Sequence, residues 1–231
     1  MHATRFIVLL LASLCAGLLQ ADPLRAVLPE HRVLSSSEAD SFESALLQAL
    51  VEGLGEKVVI VGQGETSDLQ LGGSRSGVAY FQSEPSALTA SEGGVTDWPQ
   101  LRSQTFCVTE ANPYAALVEE RFGGEPREYP STAHALIGLK LGECVAVVED
   151  QRLLAEMASL PEWRRYNAVL PALPGAEQVL RLSAENPKLQ QRVATLMQGW
   201  AEEGRLEELI RFWIDEVAFQ AYVLADTLDC H

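Results

Sequence analysis

The sequence predicts an α/β protein made of two successive runs of alternating strand and helix. Three observations carry this. A strand–helix–strand order opens the chain after residue 22, a Gly- and Ser-rich stretch interrupts it at 62–77, and a second alternation begins at Thr105. Alternation of this kind calls for a largely parallel sheet with helical crossovers.

Each element has its own signal. Leu24 to Leu28 reads as a short strand, followed by a polar loop through Ser35, Ser36 and Ser37. Over 38–54, Phe42, Ala45, Leu46, Ala49, Leu50 and Leu54 recur at helical spacing, and Gly55 supplies the stop. Val58 to Val61 is short and β-branched, a strand. Gly62 to Gly77 is poor in apolar residues and reads as loop. Val78 to Phe81 is a strand, and Ser86 to Gly94 a connector.

In the second run, Thr105 to Val108 is a strand. Asn112 and Pro113 form an N-cap and first-turn pair for a helix to Arg121. Glu128 and Tyr129 suggest a short strand. Thr132 to Leu141 is a helix stopped by Gly142, Cys144 to Val148 a β-branched strand, and Gln151 to Ser159 a helix. Pro161 to Gly175 holds three prolines and reads as loop. Val179 to Leu182 is a strand, Lys188 to Glu203 a helix closed by Gly204, and Leu206 onward a further helix. Its tail, Val217 to Leu228, keeps helical apolar spacing.

The N-terminus reads as an export signal. Arg5 precedes an apolar run from Phe6 to Leu19, and Leu19-Gln20-Ala21 offers a cleavage site before Asp22. Leu14 directly before Cys15 speaks against lipidation at that cysteine. Residues 1–21 are thus expected to be removed and the mature chain to sit in the periplasm as a soluble monomer. Three cysteines would remain, Cys107, Cys144 and Cys230, at spacings that match no zinc pattern.

Composition narrows the function. Apolar residues make up 47% of the 231, enough for a buried core, and the formal net charge is -15. A strongly acidic chain lacks the basic surface that nucleic acid or an anionic membrane requires. Catalytic signatures are missing too. Gly73-Ser74-Arg75-Ser76-Gly77 has Arg at the centre where a hydrolase elbow needs the nucleophile, and there is no H-E-x-x-H, P-loop or dinucleotide glycine pattern. No enzyme activity, metal or cofactor is expected.

Three patches resemble the family-three extracellular solute-binding proteins, the periplasmic amino-acid receptors of ABC importers. The first is Phe42 to Val58, FESALLQALVEGLGEKV, with Ser41 for the family's Gly and Glu43 for its Asp. The second runs from Asp97 to Asp150 and holds DWPQL, FCVTEANPY and HALIGLKLGECVAVVED. The third is VLRLSAENPKLQQRVATLMQGWAEEGRLEELIRFW, with Gly204 and Trp213 where the family has Gly and Trp. The resemblance implies the two-lobed periplasmic-binding-protein type II fold with hinge crossovers. Lobe one would take 22–90 and 178–231, lobe two 91–177, with crossings near 88–94 and 174–180.

The resemblance also places a site in the cleft. Arg75, six residues before Phe81, would clamp a ligand carboxylate through its guanidinium. Asp150 at the end of its strand would take an ammonium, with helix N-capping as its other reading and Glu149 as the neighbour able to replace it. Asn112 and Ala111 fall where the family presents its Gly-Thr-Thr turn, at a helix start that can offer N–H groups. Family topology would make the strands begun by Cys107 and Cys144 neighbours, which allows a disulfide. The chain departs from the pattern in three places. There is no room for a second lobe-one helix between Val61 and Asp68. Gly72 replaces the Thr before the Arg, and the stacking aromatic has no match beyond His31. Expected partners are a small polar ligand, plus an ABC permease or, if the fold serves signalling instead of transport, a periplasmic receptor domain.

Overall fold

A computed structural model of the protein describes residues 22–29, 42–73 and 75–229. The expected leader with Cys15, the serines at 35–37, His31 and Cys230 lie outside the described residues.

The chain forms two five-stranded sheets with six helices among the described residues. The first sheet is built from β1 (Leu24–Val27), β2 (Val58–Ile60), β3 (Leu69–Gly72), β4 (Val78–Ser83) and β10 (Gln178–Ala184) in the order β2-β1-β3-β10-β4. β1 pairs in parallel with β2 and β3, whereas β10 returns antiparallel between β3 and β4. The second sheet takes β5 (Pro85–Thr89), β6 (Thr105–Thr109), β7 (Glu125–Tyr129), β8 (Ala146–Asp150) and β9 (Ala168–Val169) in the order β7-β6-β8-β5-β9. Here β6, β7 and β8 are parallel and β5 is antiparallel to β8 and β9. This is the two-lobed periplasmic-binding-protein fold that the sequence resemblance implied.

Helix α1 (Phe42–Leu54) buries Phe42, Leu46, Leu47, Ala49, Leu50 and Val51. Helix α2 (Pro113–Phe122) starts on an Asn112 cap and ends at Gly123 in the left-handed region. Helices α3 (Thr132–Lys140) and α4 (Gln151–Ser159) start on Ser131 and Asp150. Helix α5 (Pro187–Glu203) is capped by Asn186 and stops at Gly204, φ 77°. The helix expected from Leu206 onward and its apolar tail form one 25-residue helix, α6 (Arg205–Asp229). No glycine or proline interrupts residues 205–229, so nothing breaks it.

Three strands form where the sequence pattern carries no strand signal, and a fourth starts later than expected. β3 lies inside the stretch expected to be loop. Its two apolar residues, Leu69 and Leu71, alternate with Gln70 and are buried, a period too short to stand out among glycines. β9 lies in the proline-rich loop. Pro85–Thr89, expected as part of a connector, is buried along its whole length between β8 and β9. A strand covered on both faces shows no alternation, and its small residues gave no signal. The chain therefore leaves the first sheet at Ser83 and enters the second at Pro85, ahead of the crossing expected near 88–94. β8 begins at Ala146, two residues later than expected.

Apolar burial is organised in two clusters. One lies on a face of the second sheet and joins Phe106, Val108, Tyr114, Val118 and Val148. The other runs from α1 and the first sheet through Trp200, Ile210, Trp213 and Val217 to Leu136, Val147 and Leu153 on the second sheet's other face. Helix α6 makes this continuity. It packs against α1 and α5 beside the first sheet and against α3 and α4 beside the second.

Candidate functional site

β6 and β8 run parallel as neighbours, so their carboxyl ends open side by side toward the loops that start α2, α3 and α4. Ligands of parallel α/β sheets bind outside such strand ends. Thr109 closes β6, and Ala111 turns the chain into α2 with φ 56°. An alanine held in this left-handed region stores about 1–3 kcal/mol of strain, which the surrounding packing must offset.

Asn112 has two tasks. Its side-chain oxygen caps α2 by accepting from the Tyr114 amide at 2.9 Å. Its amide nitrogen donates to Thr109 Oγ1 and to Glu149 Oε2, both at 3.3 Å. Glu149, one residue before the end of β8, is the centre of the cluster and is 3% exposed. Its Oε2 also accepts from Thr109 Oγ1 at 3.3 Å and Thr132 Oγ1 at 3.5 Å, while its Oε1 accepts from the Asp150 amide at 3.0 Å. Thr132 is the first residue of α3, so the carboxylate lies where the helix dipole favours negative charge.

Asp150 is engaged with backbone. Its Oδ1 accepts from the Arg152 amide at 3.0 Å as the cap of α4, and its Oδ2 from the Glu84 amide at 3.1 Å. Glu84 is the single residue between β4 and β5, so this bond ties a lobe-two helix start to the passage between sheets. Of the two readings held for Asp150, the geometry displays the cap. The carboxylate gathered with hydroxyls and an amide is Glu149.

The structure thus brings Ala111, Asn112, Glu149 and Asp150 together. Arg75 is not in this cluster. It stands exposed in the connection from β3 to β4, beyond the carboxyl end of β3. Thr109 and Thr132 were missed because hydroxyls at strand and helix ends are common. The available signal was their coincidence with Asn112 and Glu149 at the ends of predicted parallel strands. Among the described residues no group of His, Cys, Asp and Glu could hold a metal ion.

A disulfide braces the cluster from below. Cys107 on β6 and Cys144 just ahead of β8 are bonded, with Cα atoms 5.7 Å apart. Gly138 of α3 lies against it. A Cβ there would stand 3.0 Å from Cys107 Sγ and 2.4 Å from Tyr129 Oη, so a larger residue would have to displace the tyrosine. The bridge links the two strands that carry Thr109 and Glu149.

No protein-family model and no curated protein matches the sequence. Solved structures do match its fold. A mutant of ArgBP from T. maritima aligns over 83% of this chain and 95% of its own, with 15% identity and a TM-score of 0.60. The arginine-, lysine-, histidine-binding protein ArtJ from Geobacillus stearothermophilus covers 83% and 94%, with 16% identity and a TM-score of 0.57. The ancestral amino acid-binding protein AncCDT-1, a precursor of cyclohexadienyl dehydratase, covers 83% and 95%, with 15% identity and a TM-score of 0.59.

Proposed function

We propose that this chain is an exported solute-binding protein that captures a small polar ligand, an amino acid or a related compound bearing a positive charge, for an ABC importer. The observation that carries the reading is the buried Glu149 cluster at the carboxyl ends of β6 and β8, at the starts of α2 and α3. Three further points support it: the fold, the amino-acid-binding proteins among its structural likenesses, and an N-terminal stretch with the form of an export signal. In this reading Glu149 attracts the ligand's cationic group, with Asp150 beside it. Asn112 and Thr109 hold the carboxylate in place, and the turn at Ala111 presents the α2 start. Arg75 approaches the ligand's anionic end from the other lobe on closure. Binding, not catalysis, is the task.

A thermal-shift screen of amino acids, amines and organic acids tests this. A ligand at 100 times its Kd adds about 2.7 kcal/mol, which for a chain of this size raises Tm by about 5–11 °C. The shift should appear with cationic compounds and vanish in Glu149→Gln. A flat response across all three classes would sink the transport reading.

That outcome would favour a second reading, a periplasmic sensor or adaptor with an altered ligand site. The specific support for it is α6, whose packing spans both lobes and restrains the hinge that capture requires.

A further inference from the structure

The outward face of α6 carries a surface unlike any other on the described part of the molecule. Phe212 is 63% exposed, Phe219 61%, Tyr222 58% and Val223 41%. The other exposed large apolar residues are Val59 and Ile60 on β2, Leu141 after α3 and Val179 on β10. Spacings of seven, three and four put Phe212, Phe219, Tyr222 and Val223 on one stripe, about 16 Å long at 1.5 Å per residue. The opposite face of the same helix is buried through Ile210, Trp213, Ile214, Val217 and Ala221. The stripe is therefore a second apolar face that packing among the described residues does not use.

Acids outnumber bases along it, with Arg211 the exposed basic residue at its edge beside Phe212. Glu208, Asp215 and Asp226 fall along the stripe and are exposed, and Glu216 borders it. No ion pair among the described residues engages Glu208, Asp215 or Asp226. Two copies meeting along this seam would bring two acid-rich faces together on a chain of net charge -15, and an anionic membrane would repel it. A helix with apolar residues at heptad spacing and Lys or Arg between them complements both features. The aromatics would fill its holes and the acids would meet its cations.

We propose that the outer face of α6 is a docking surface for a basic amphipathic helix of a partner protein. The inference rests on this surface alone and stands whether or not the cleft binds a solute.

The probe is a fluorescein-labelled 14-residue Leu/Lys amphipathic peptide, titrated by anisotropy against the processed chain, with a Leu/Glu peptide of the same pattern beside it. The Leu/Lys peptide should bind at least tenfold more tightly than the Leu/Glu peptide. Phe212→Ser with Phe219→Ser, and separately Asp215→Lys with Asp226→Lys, should each weaken it at least tenfold. Glu119→Lys with Glu120→Lys, an equal charge change on the exposed side of α2, should alter it less than twofold. All these side chains are exposed, so thermal melts should match the parent. Equal losses in the α2 control would mean attraction by overall charge and overturn the proposal, as would no binding at all. A concentration-dependent dimer abolished by Phe219→Ser would assign the stripe to a second copy and overturn it equally.

Discussion

The disulfide beneath the Glu149 cluster offers the most direct quantitative test of the structure. Cys107 and Cys144 close a loop with a sequence separation of 37. Loop-closure entropy removed from the unfolded chain grows with the logarithm of that length and amounts to about 3.8 kcal/mol at 25 °C. The perturbation is Cys107→Ala with Cys144→Ala, alanine being chosen because Cys107 is fully buried and a hydroxyl there would lack a partner. Urea titration should show the loss, and Tm should fall by about 8–15 °C at 2–4 °C per kcal/mol. Reductant separates the bridge from local packing: it should lower the parent toward the variant and leave the variant unmoved. A variant within 1 kcal/mol of the parent, or a parent indifferent to reductant, would refute the covalent tie between β6 and β8.

Four further outcomes follow from named contacts. Gly138→Ala should cost about 1–3 kcal/mol by overpacking against Tyr129 and the disulfide, and less in a Tyr129→Ala background, measured by a double-mutant cycle in urea. Trp213→Ala, which empties the ring cluster with Phe42 and Phe81, should cost about 3–5 kcal/mol, whereas Phe219→Ser two turns on should stay within about 0.5 kcal/mol. Burial, with the Glu143 carboxylate accepting its hydrogen bond, pushes Tyr129 up from 10.0 to about 12. The folded state thus favours the phenol, a contribution present below pH 10 and lost as pH rises through about 12. The phenolate absorbance difference between parent and Tyr129→Phe should rise near pH 12, and at lower pH in Glu143→Gln. Calorimetry should record one unfolding transition, since one apolar cluster serves both sheets, and two separated transitions would contradict that continuity.

What the sequence disclosed depended on how each element meets its surroundings. Helices with one buried stripe and a capping residue, such as α2 with Asn112 or α5 with Gly204, were legible almost to the residue. Strands were legible where β-branched residues cluster, as in Val147 and Val148. They were lost where the chain is covered on both faces by small residues, as at Pro85–Thr89. The candidate site divided along the same line. Asn112 was found because a cap leaves a local signature. Glu149 and Asp150 were found as a pair, yet which of them faces hydroxyls and which caps a helix depends on strand pleat. Successive side chains on β8 point to opposite faces, so a one-residue difference exchanges their roles. Arg75 rested on residue spacing across a Gly- and Ser-rich stretch, and an exposed loop arginine leaves no periodic signal that could locate its side chain.

Helix α6 sets the terms on which the two lobes can work together. In the proposed capture, a ligand that draws the lobes closed would rotate them about the passage at Glu84 and the return before β10, the two places where the chain changes sheet. Helix α6 is fixed to the first lobe by Trp213 among Phe42 and Phe81, and it lies on α3 and α4 of the second. Arg152 of α4 pairs with Glu207 near its start, and that pairing holds the Glu207 carboxyl below its usual range. The Glu207 contribution is present above the unfolded carboxyl value and fades as pH falls, but both partners are exposed, so it is worth no more than about 1 kcal/mol. The apolar contact with α3 is the larger restraint. Apolar contact of this kind tolerates sliding better than separation, because it has no direction. Closure by shear of α3 along α6 therefore keeps the core buried, whereas a free opening of the lobes would expose it. The inner face of the same helix thus packs on helices of both lobes, while its aromatic outer face stays exposed among the described residues.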